Sequence, residues 1–252
     1  ILSGLVGSEM CIRDRYLDLA RVVDYPQAYN GLQLENRGQV GRIAAAVDAC
    51  EAVFLEAAGR GADFLLVHHG LYWNSALLVG GMYRKVRCAI EHNIALYSVH
   101  LPLDLHPEVG NNVVLARALG LERLEPFLPL KGQPAGLVGE TGMRRAELLR
   151  RLEEVLGGKV HLCAGGPEQV RRVGVVTGAA GSEVARAAAE GVDTFVTGEG
   201  PHWSYTLAEE LGVNLFYGGH YATETFGVKA LAEHLSARFG LPWEFIDHPT
   251  GL

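Results

Sequence analysis

Two stretches of this 252-residue chain repeat one another, and the repeat limits the possible folds more than any other feature. Residues 42–70 read RIAAAVDACEAVFLEAAGRGADFLLVHHG. Residues 172–200 read RVGVVTGAAGSEVARAAAEGVDTFVTGEG, offset by 130 without a gap and identical at seven of 29 positions. A second pair, 93–121 against 213–241, follows at an offset of 120. It places Tyr97 on Tyr217, His100 on His220, Asp104 on Glu224 and Gly120-Leu121 on Gly240-Leu241. The drop in offset leaves ten extra residues in the first copy, between Gly70 and Asn93. Repeats at this scale imply structural units built on one plan.

Each copy reads as an apolar strand (43–47; 173–176), an Ala-rich helix (51–58; 182–190) closed by Gly61 or Gly191, and a second strand (64–67; 194–197). A third strand (94–99; 214–217) and a closing helix follow. Short apolar strands alternating with helices predict an α/β fold: two related, intertwined α/β lobes arising from internal duplication, with largely parallel sheets and helices on both faces. The expected boundaries are 16–121 for the first lobe, 122–171 for a connecting αβ segment with an amphipathic helix after Thr141, and 172–252 for the second lobe. Residues 1–15, ILSGLVGSEMCIRDR, lack a coherent pattern and resemble a translated adaptor. They are expected to be non-native and dispensable.

The chemistry-bearing residues collect at the ends of these strands, where ligand sites of open α/β sheets form. The run Asp63-Phe64-Leu65-Leu66-Val67 stops in His68-His69; His100 precedes Asp104 by four residues, and His220 precedes Glu224 by four. Imidazoles mixed with carboxylates are a ligand set for a first-row transition metal, with Zn, Mn, Fe and Ni not distinguished. The first half would give His68, His69 and Asp104, and the second His220 and Glu224. Glu199, which aligns with His69, and His202 are secondary candidates as ligands or as groups that orient one. His100 is offset from the ligand set and is the candidate catalytic residue, either moving protons or hydrogen-bonding a ligand carboxylate.

Composition removes several function classes. The net charge of −7, without a basic stripe, argues against binding nucleic acid by bulk electrostatics. The Arg144-Arg145, Arg150-Arg151 and Arg171-Arg172 pairs read as solvated surface. The four cysteines show no CxxC spacing, hence neither a zinc knuckle nor a disulfide framework, and fit a reducing compartment. No apolar run reaches the length of a membrane span, so a cytoplasmic protein is expected. No P-loop, GxGxxG or Ser-His-Asp order supports a nucleotide site independently.

With these residues in view the chain resembles the NIF3-like family, also described as dinuclear-metal-centre or type 2 GTP cyclohydrolase I-like. The matching pieces are Asn30-Gly31-Leu32-Gln33, Val47-Asp48-Ala49, Val67-His68-His69-Gly70, His100-x-x-x-Asp104, Asn111-Asn112, Gly198-Glu199 with His202, and Gly219-His220-x-x-x-Glu224, spanning about residues 16–252. The resemblance implies a pair of divalent cations per subunit and a homohexamer. It also implies a ligand partition: His69 and Asp104 on one cation, His68 and His220 on the other, and Glu224 bridging. The sequence departs from the family pattern at Gly70, where many members have Pro, and in having no room for the domain that larger members insert between the halves. Paired metals with open positions can activate water and polarise a substrate. A metal-dependent hydrolase acting on GTP or another small molecule is therefore the expected function, and a non-catalytic metal-binding or partner-binding hexamer the alternative.

Overall fold

The computed structural model describes residues 16–73, 77–130 and 132–252. The expectation for residues 1–15 lies outside the described residues. The described chain forms two compact units interleaved along the sequence: residues up to Val109 together with Gly227–His248, and Gly110–Phe226 together with Pro249–Leu252.

In the first unit the order is β1 (Gly31–Leu34), β2 (Ile43–Asp48), α1 (Glu51–Gly59), β3 (Phe64–His69), α2 (Gly80–Glu91), β4 (Ala95–Ser98) and the short α3 (Leu101–Asp104). A late segment, Trp243–Phe245, completes a five-stranded sheet of order β1, β4, β3, β2 and that segment. All its pairings are parallel except β1 with β4. The central strands β2, β3 and β4 are apolar up to their C-terminal ends because both faces are covered. Ala44, Ala46, Leu65, Val67 and Leu96 pack with Val53, Phe54, Ala57, Cys88 and Ala89 of α1 and α2. The alternate residues Ile43, Ala45, Phe64, Leu66 and Tyr97 are buried as well. Burial on both faces is what turns the expected alternation of a half-exposed strand into a continuous apolar run.

The second unit contains α4 (Asn111–Ala118), β5 (Glu122–Leu130), β6 (Gln133–Glu140), α5 (Arg145–Leu156), β7 (His161–Ala164), β8 (Arg172–Val175), α6 (Val184–Ala189), β9 (Thr194–Thr197), α7 (Trp203–Leu211), β10 (Asn214–Tyr217) and the short α8 (His220–Thr223). Its six-stranded sheet runs β5-β6-β8-β9-β10-β7. β8, β9 and β10 are parallel, whereas the pairings made by β5, β6 and β7 are antiparallel. The 122–171 segment therefore supplies both edges of this sheet, and the sheet is mixed. Phe195 and Leu215 pack toward Val184, Ala187 and Ala208 on one face. Val173, Val175, Val196 and Phe216 pack toward Leu115, Leu148 and Leu152 on the other. Helix α9 (Thr225–Phe239) leads the chain on to β11 (Trp243–Phe245), which pairs parallel with β2.

The two sheets share their central wiring. Ile43 pairs with Phe64 and Val173 with Thr194, the same register at the offset of 130. The side chain of Asp63 accepts from the amides of Gly41 and Arg42, and that of Asp193 accepts from Arg171 and Arg172, again at that offset. At the third strand the correspondence moves by one residue. The Asp63 and Val67 carbonyls accept from Ala95 and Val99, whereas the Asp193 and Thr197 carbonyls accept from Asn214 and Gly218. Backbone register therefore matches His100 with Gly219 and not with His220, as the sequence alignment had it. A one-residue shift moves a side chain to the opposite face of a sheet. The aligned tyrosines consequently do different things: Tyr97 stacks on Phe64, while Tyr217 bonds Ser204.

Candidate metal centre

In the first unit the double histidine ends β3, where the parallel strands open to the loops that follow them. His68 is fully buried and His69 partly so. His100 caps the N-terminus of α3, and Asp104 is that helix's last residue; both are buried. Ring centroids of His68, His69 and His100 lie 4.8, 4.9 and 5.5 Å apart in pairs. Nε2 of His68 is 3.5 Å from Oδ2 of Asp104.

Each of these imidazoles is fixed through Nδ1. His68 bonds the Val99 carbonyl at 2.9 Å, His69 bonds Asp48 at 2.9 Å, and His100 bonds Asp24 at 2.8 Å. An acceptor at Nδ1 selects the tautomer whose Nε2 lone pair is available to a cation, the arrangement that surrounds most histidine metal ligands. Asp24 is itself held firmly. It accepts from the amides of Tyr25 and Leu101 and from Asn30 Nδ2, at 2.6, 3.0 and 2.7 Å. Burial pushes its carboxyl up, but the His100 ring and these donors outweigh burial and keep it below the usual carboxylate range.

In the second unit β10 ends at Tyr217, Gly218-Gly219 follow it, and α8 begins at His220. His220 Nδ1 lies 2.7 Å from Glu199 Oε1, and its Nε2 lies 3.1 Å from Glu224 Oε2. Burial alone would depress the imidazole pKa. Hydrogen bonds and charge from Glu224, then Glu199, reverse that and push it up to about 9. The surroundings of this nitrogen therefore favour positive charge, which a proton or a cation can supply. Space for the pair is made by glycine. A Cβ on Gly178, whose φ is +71°, would stand 2.3 Å from Glu224 Oε1, and one on Gly198 would stand 2.7 Å from the His220 Cα. Gly178 and Gly198 occupy the positions of Asp48 and His68 in the first unit, at the offset of 130.

The residues fit divalent cations. Two donors bound to one ion at about 2.0–2.2 Å are roughly 3.0–3.5 Å apart, and His220 Nε2 and Glu224 Oε2 stand at 3.1 Å. His68, His69, His100 and His220 each have Nδ1 engaged by a carbonyl or carboxylate. The structure thus gathers His68, His69, His100 and Asp104 in the first unit, and His220, Glu224 and Glu199 in the second. His202 stands exposed at the start of α7 and belongs to none of the candidate metal groups among the described residues. Asp48 and Asp24 escaped sequence reasoning as functional residues. Asp48 could have been found, since it is the last residue of an apolar strand in a repeat whose neighbouring strand ends in histidine. Asp24 carries no such local signal.

Residues 14–250 match the family model Duf34/NIF3 (NGG1p interacting factor 3). A Deinococcus radiodurans protein named GTP cyclohydrolase 1 type 2 homolog is 42% identical over 99% of this chain and 96% of its own length. A Pyrococcus abyssi protein of the same name is 42% identical over 95% of this chain and 96% of its own. Among solved structures, a protein from Thermus thermophilus superposes with a TM-score of 0.85 at 43% identity, covering 95% of this chain and 96% of that one. The protein ybgI, described as of unknown function, superposes with a TM-score of 0.91 at 37% identity, covering 99% of this chain and 100% of that one. No helix among the described residues is long and apolar enough to cross a membrane. With its strand-end histidines, its wiring and these relatives all in agreement, the chain belongs to the Duf34/NIF3 family.

Proposed function

We propose that His68, His69, Asp104, His220 and Glu224 are the ligands of a dinuclear metal centre, and that the protein is a metal-dependent hydrolase of a small-molecule substrate. In this reading His69 and Asp104 hold one divalent cation, His68 and His220 hold the other, and Glu224 bridges them. The observation that carries the proposal is the uniform treatment of the imidazoles. Four histidines from three chain segments each have Nδ1 tied to a carbonyl or carboxylate, so that Nε2 is the ring atom each would turn to a cation. Histidines that serve only packing have no need of a shared orientation.

Bound divalent cations supply Lewis acidity and lower the pKa of water toward neutrality. The chain's own groups supply orientation. Asp48, Asp24, Glu199 and the Val99 carbonyl hold the rings, so little reorganisation is needed when charge develops. The names of the relatives favour GTP or a related nucleotide as the substrate, and a homohexamer is part of the same proposal. The test is turnover of GTP by metal-depleted and metal-reconstituted protein. The proposal expects hydrolysis that depends on added cation and is lost with Glu224→Gln. Full metal occupancy with no turnover of GTP or related nucleotides would instead favour a metal-binding or partner-binding protein without catalysis.

A further inference from the structure

Four aromatic side chains from two segments of the first unit meet in pairs beside the histidines. Tyr25 lies against Trp73, with ring centroids 6.2 Å apart, and Tyr29 meets Tyr72 edge to face at 5.2 Å. Tyr25 and Trp73 also reach the His100 ring, at 6.0 and 4.8 Å, and Trp73 stands at a right angle to the His69 ring at 6.0 Å. Gln33 ties the two segments together. Its Nε2 donates to the Ala28 and Tyr29 carbonyls at 3.1 and 2.9 Å, and its Oε1 accepts from the Leu71 amide at 2.8 Å. Gly70 makes room for that carboxamide, which a Cβ there would overlap. Tyr29 is held at φ +44°, a conformation bulky residues keep only where their surroundings enforce it. Despite this anchoring, Tyr25 is 49% and Tyr29 61% exposed. A buried tryptophan ordinarily finds an acceptor for its N–H, yet Trp73 Nε1 is enclosed without one among the described residues. Aromatic rings fixed in place and still open to solvent, next to metal-type histidines, contribute little to a core and offer a surface to another ring.

We infer that Tyr25, backed by Trp73, is the stacking platform of the substrate site, and that the substrate carries a planar heteroaromatic ring. That the bearer of this ring is hydrolysed rests on the metal-dependent hydrolase reading; that the ring binds here does not. Stacking on an aromatic side chain tolerates different rings, because every planar heterocycle has a π-face. The site therefore separates aromatic from saturated rings more sharply than one base from another. Recognition through the ring also fits the local charge. Asp24 and Asp48 stand behind His100 and His69, and carboxylates do not attract an anionic tail. Asp24 accepts from the Tyr25 amide at 2.6 Å while it bonds His100 at 2.8 Å. Platform and imidazole thus share one anchor, which fixes the distance between a stacked ring and the strand-end histidines.

The test is calorimetric titration of full-length, Zn(II)-loaded protein with guanosine, adenosine and uridine, which carry a ring and no phosphate, and with tripolyphosphate, which carries phosphate and no ring. At least one nucleoside should bind. Tyr25→Ala should weaken that binding by about tenfold or more, and Tyr25→Phe should keep it. Tripolyphosphate affinity and metal content should be the same in both variants as in the unaltered protein. Protein carrying Trp203→Phe and Trp243→Phe, whose one remaining indole is Trp73, reports on the rim without altering it. Its emission should change as the nucleoside binds. No binding of any of the three nucleosides, equal nucleoside affinity in Tyr25→Ala, unchanged Trp73 emission, or metal loss in Tyr25→Ala would overturn the inference. If GTP is turned over, Tyr25→Ala should raise KM. Turnover with kcat/KM unchanged in that variant would overturn the stacking platform and leave the hydrolase reading standing. Nucleoside binding that depends on Tyr25, with no turnover of any nucleotide, would support the platform and end the hydrolase reading.

Discussion

Asp48 and His69 are register partners on the neighbouring parallel strands β2 and β3, and their side chains meet as well, Oδ1 to Nδ1, at 2.9 Å. The pairing of two strands thus places a carboxylate behind a proposed metal-binding imidazole with no loop intervening. Asp48→Asn should leave the fold intact, since the residue is the last of its strand, but should cost about 10–100-fold in cation affinity. Asp48→Glu, which keeps the charge at a longer reach, should recover part of it. Isothermal titration with Zn(II) on both variants checks this.

Gly178 provides a second prediction with an internal control. Its φ of +71° puts the chain in the left-handed region, and a Cβ would fall 2.3 Å from Glu224 Oε1. Gly157, at φ +70°, has nothing near its Cβ direction. Gly157→Ala should therefore cost only the left-handed penalty, about 1–2 kcal/mol, with metal content unchanged. Gly178→Ala should cost that much or more and should also lower metal content, because Glu224 must move. Thermal melts and metal analysis of the two variants side by side separate the effects.

His106 gives the metal-free fold a pH dependence. Its Nδ1 accepts from the amides of Glu108 and Val109, and its Nε2 donates to the Tyr16 carbonyl. That pattern requires the neutral ring. Burial lowers its pKa below the ordinary 6.5, more than offsetting the raising effects of the Tyr16 carbonyl and Glu108. A depressed folded-state pKa means that the unfolded chain binds more protons, so stability rises with pH. The contribution is complete above about pH 6.5 and is lost as pH falls through the depressed folded-state value. Urea denaturation of metal-free protein should show His106→Asn to be less stable than the unaltered protein at pH 7.5, with the gap closing toward pH 5. A constant gap across that range would mean that the ring's protonation plays no part.

The strands, helices and candidate ligands of the repeat were legible because burial on both faces writes an unbroken apolar run, and because the runs stop in histidine. The register of β2 on β3 was legible too, since the offset of 130 carries the Asp63 and Asp193 contacts with it. The third strand was not, because side-chain identity at Tyr97 and Tyr217 outweighed a one-residue difference in backbone register. The edge strands β5 and β6 were hidden for a different reason. β5 is mostly exposed and contains Pro126 and Pro129, so it shows neither period. Nothing local in Trp243-Glu244-Phe245 announces that it pairs with β2. Asp24 binds His100 across 76 residues, and its role follows only from the fold.

The central proposal is that His68, His69, Asp104, His220 and Glu224 hold a pair of cations. Metal analysis of protein purified without chelator, in parallel with Glu224→Gln and His69→Ala, tests it most directly. The account predicts about two equivalents per chain in the unaltered protein and a clear loss in each variant, although Glu224 and His69 are far apart in sequence. Full and equal metal content in all three proteins, or a loss confined to His69→Ala, would contradict it.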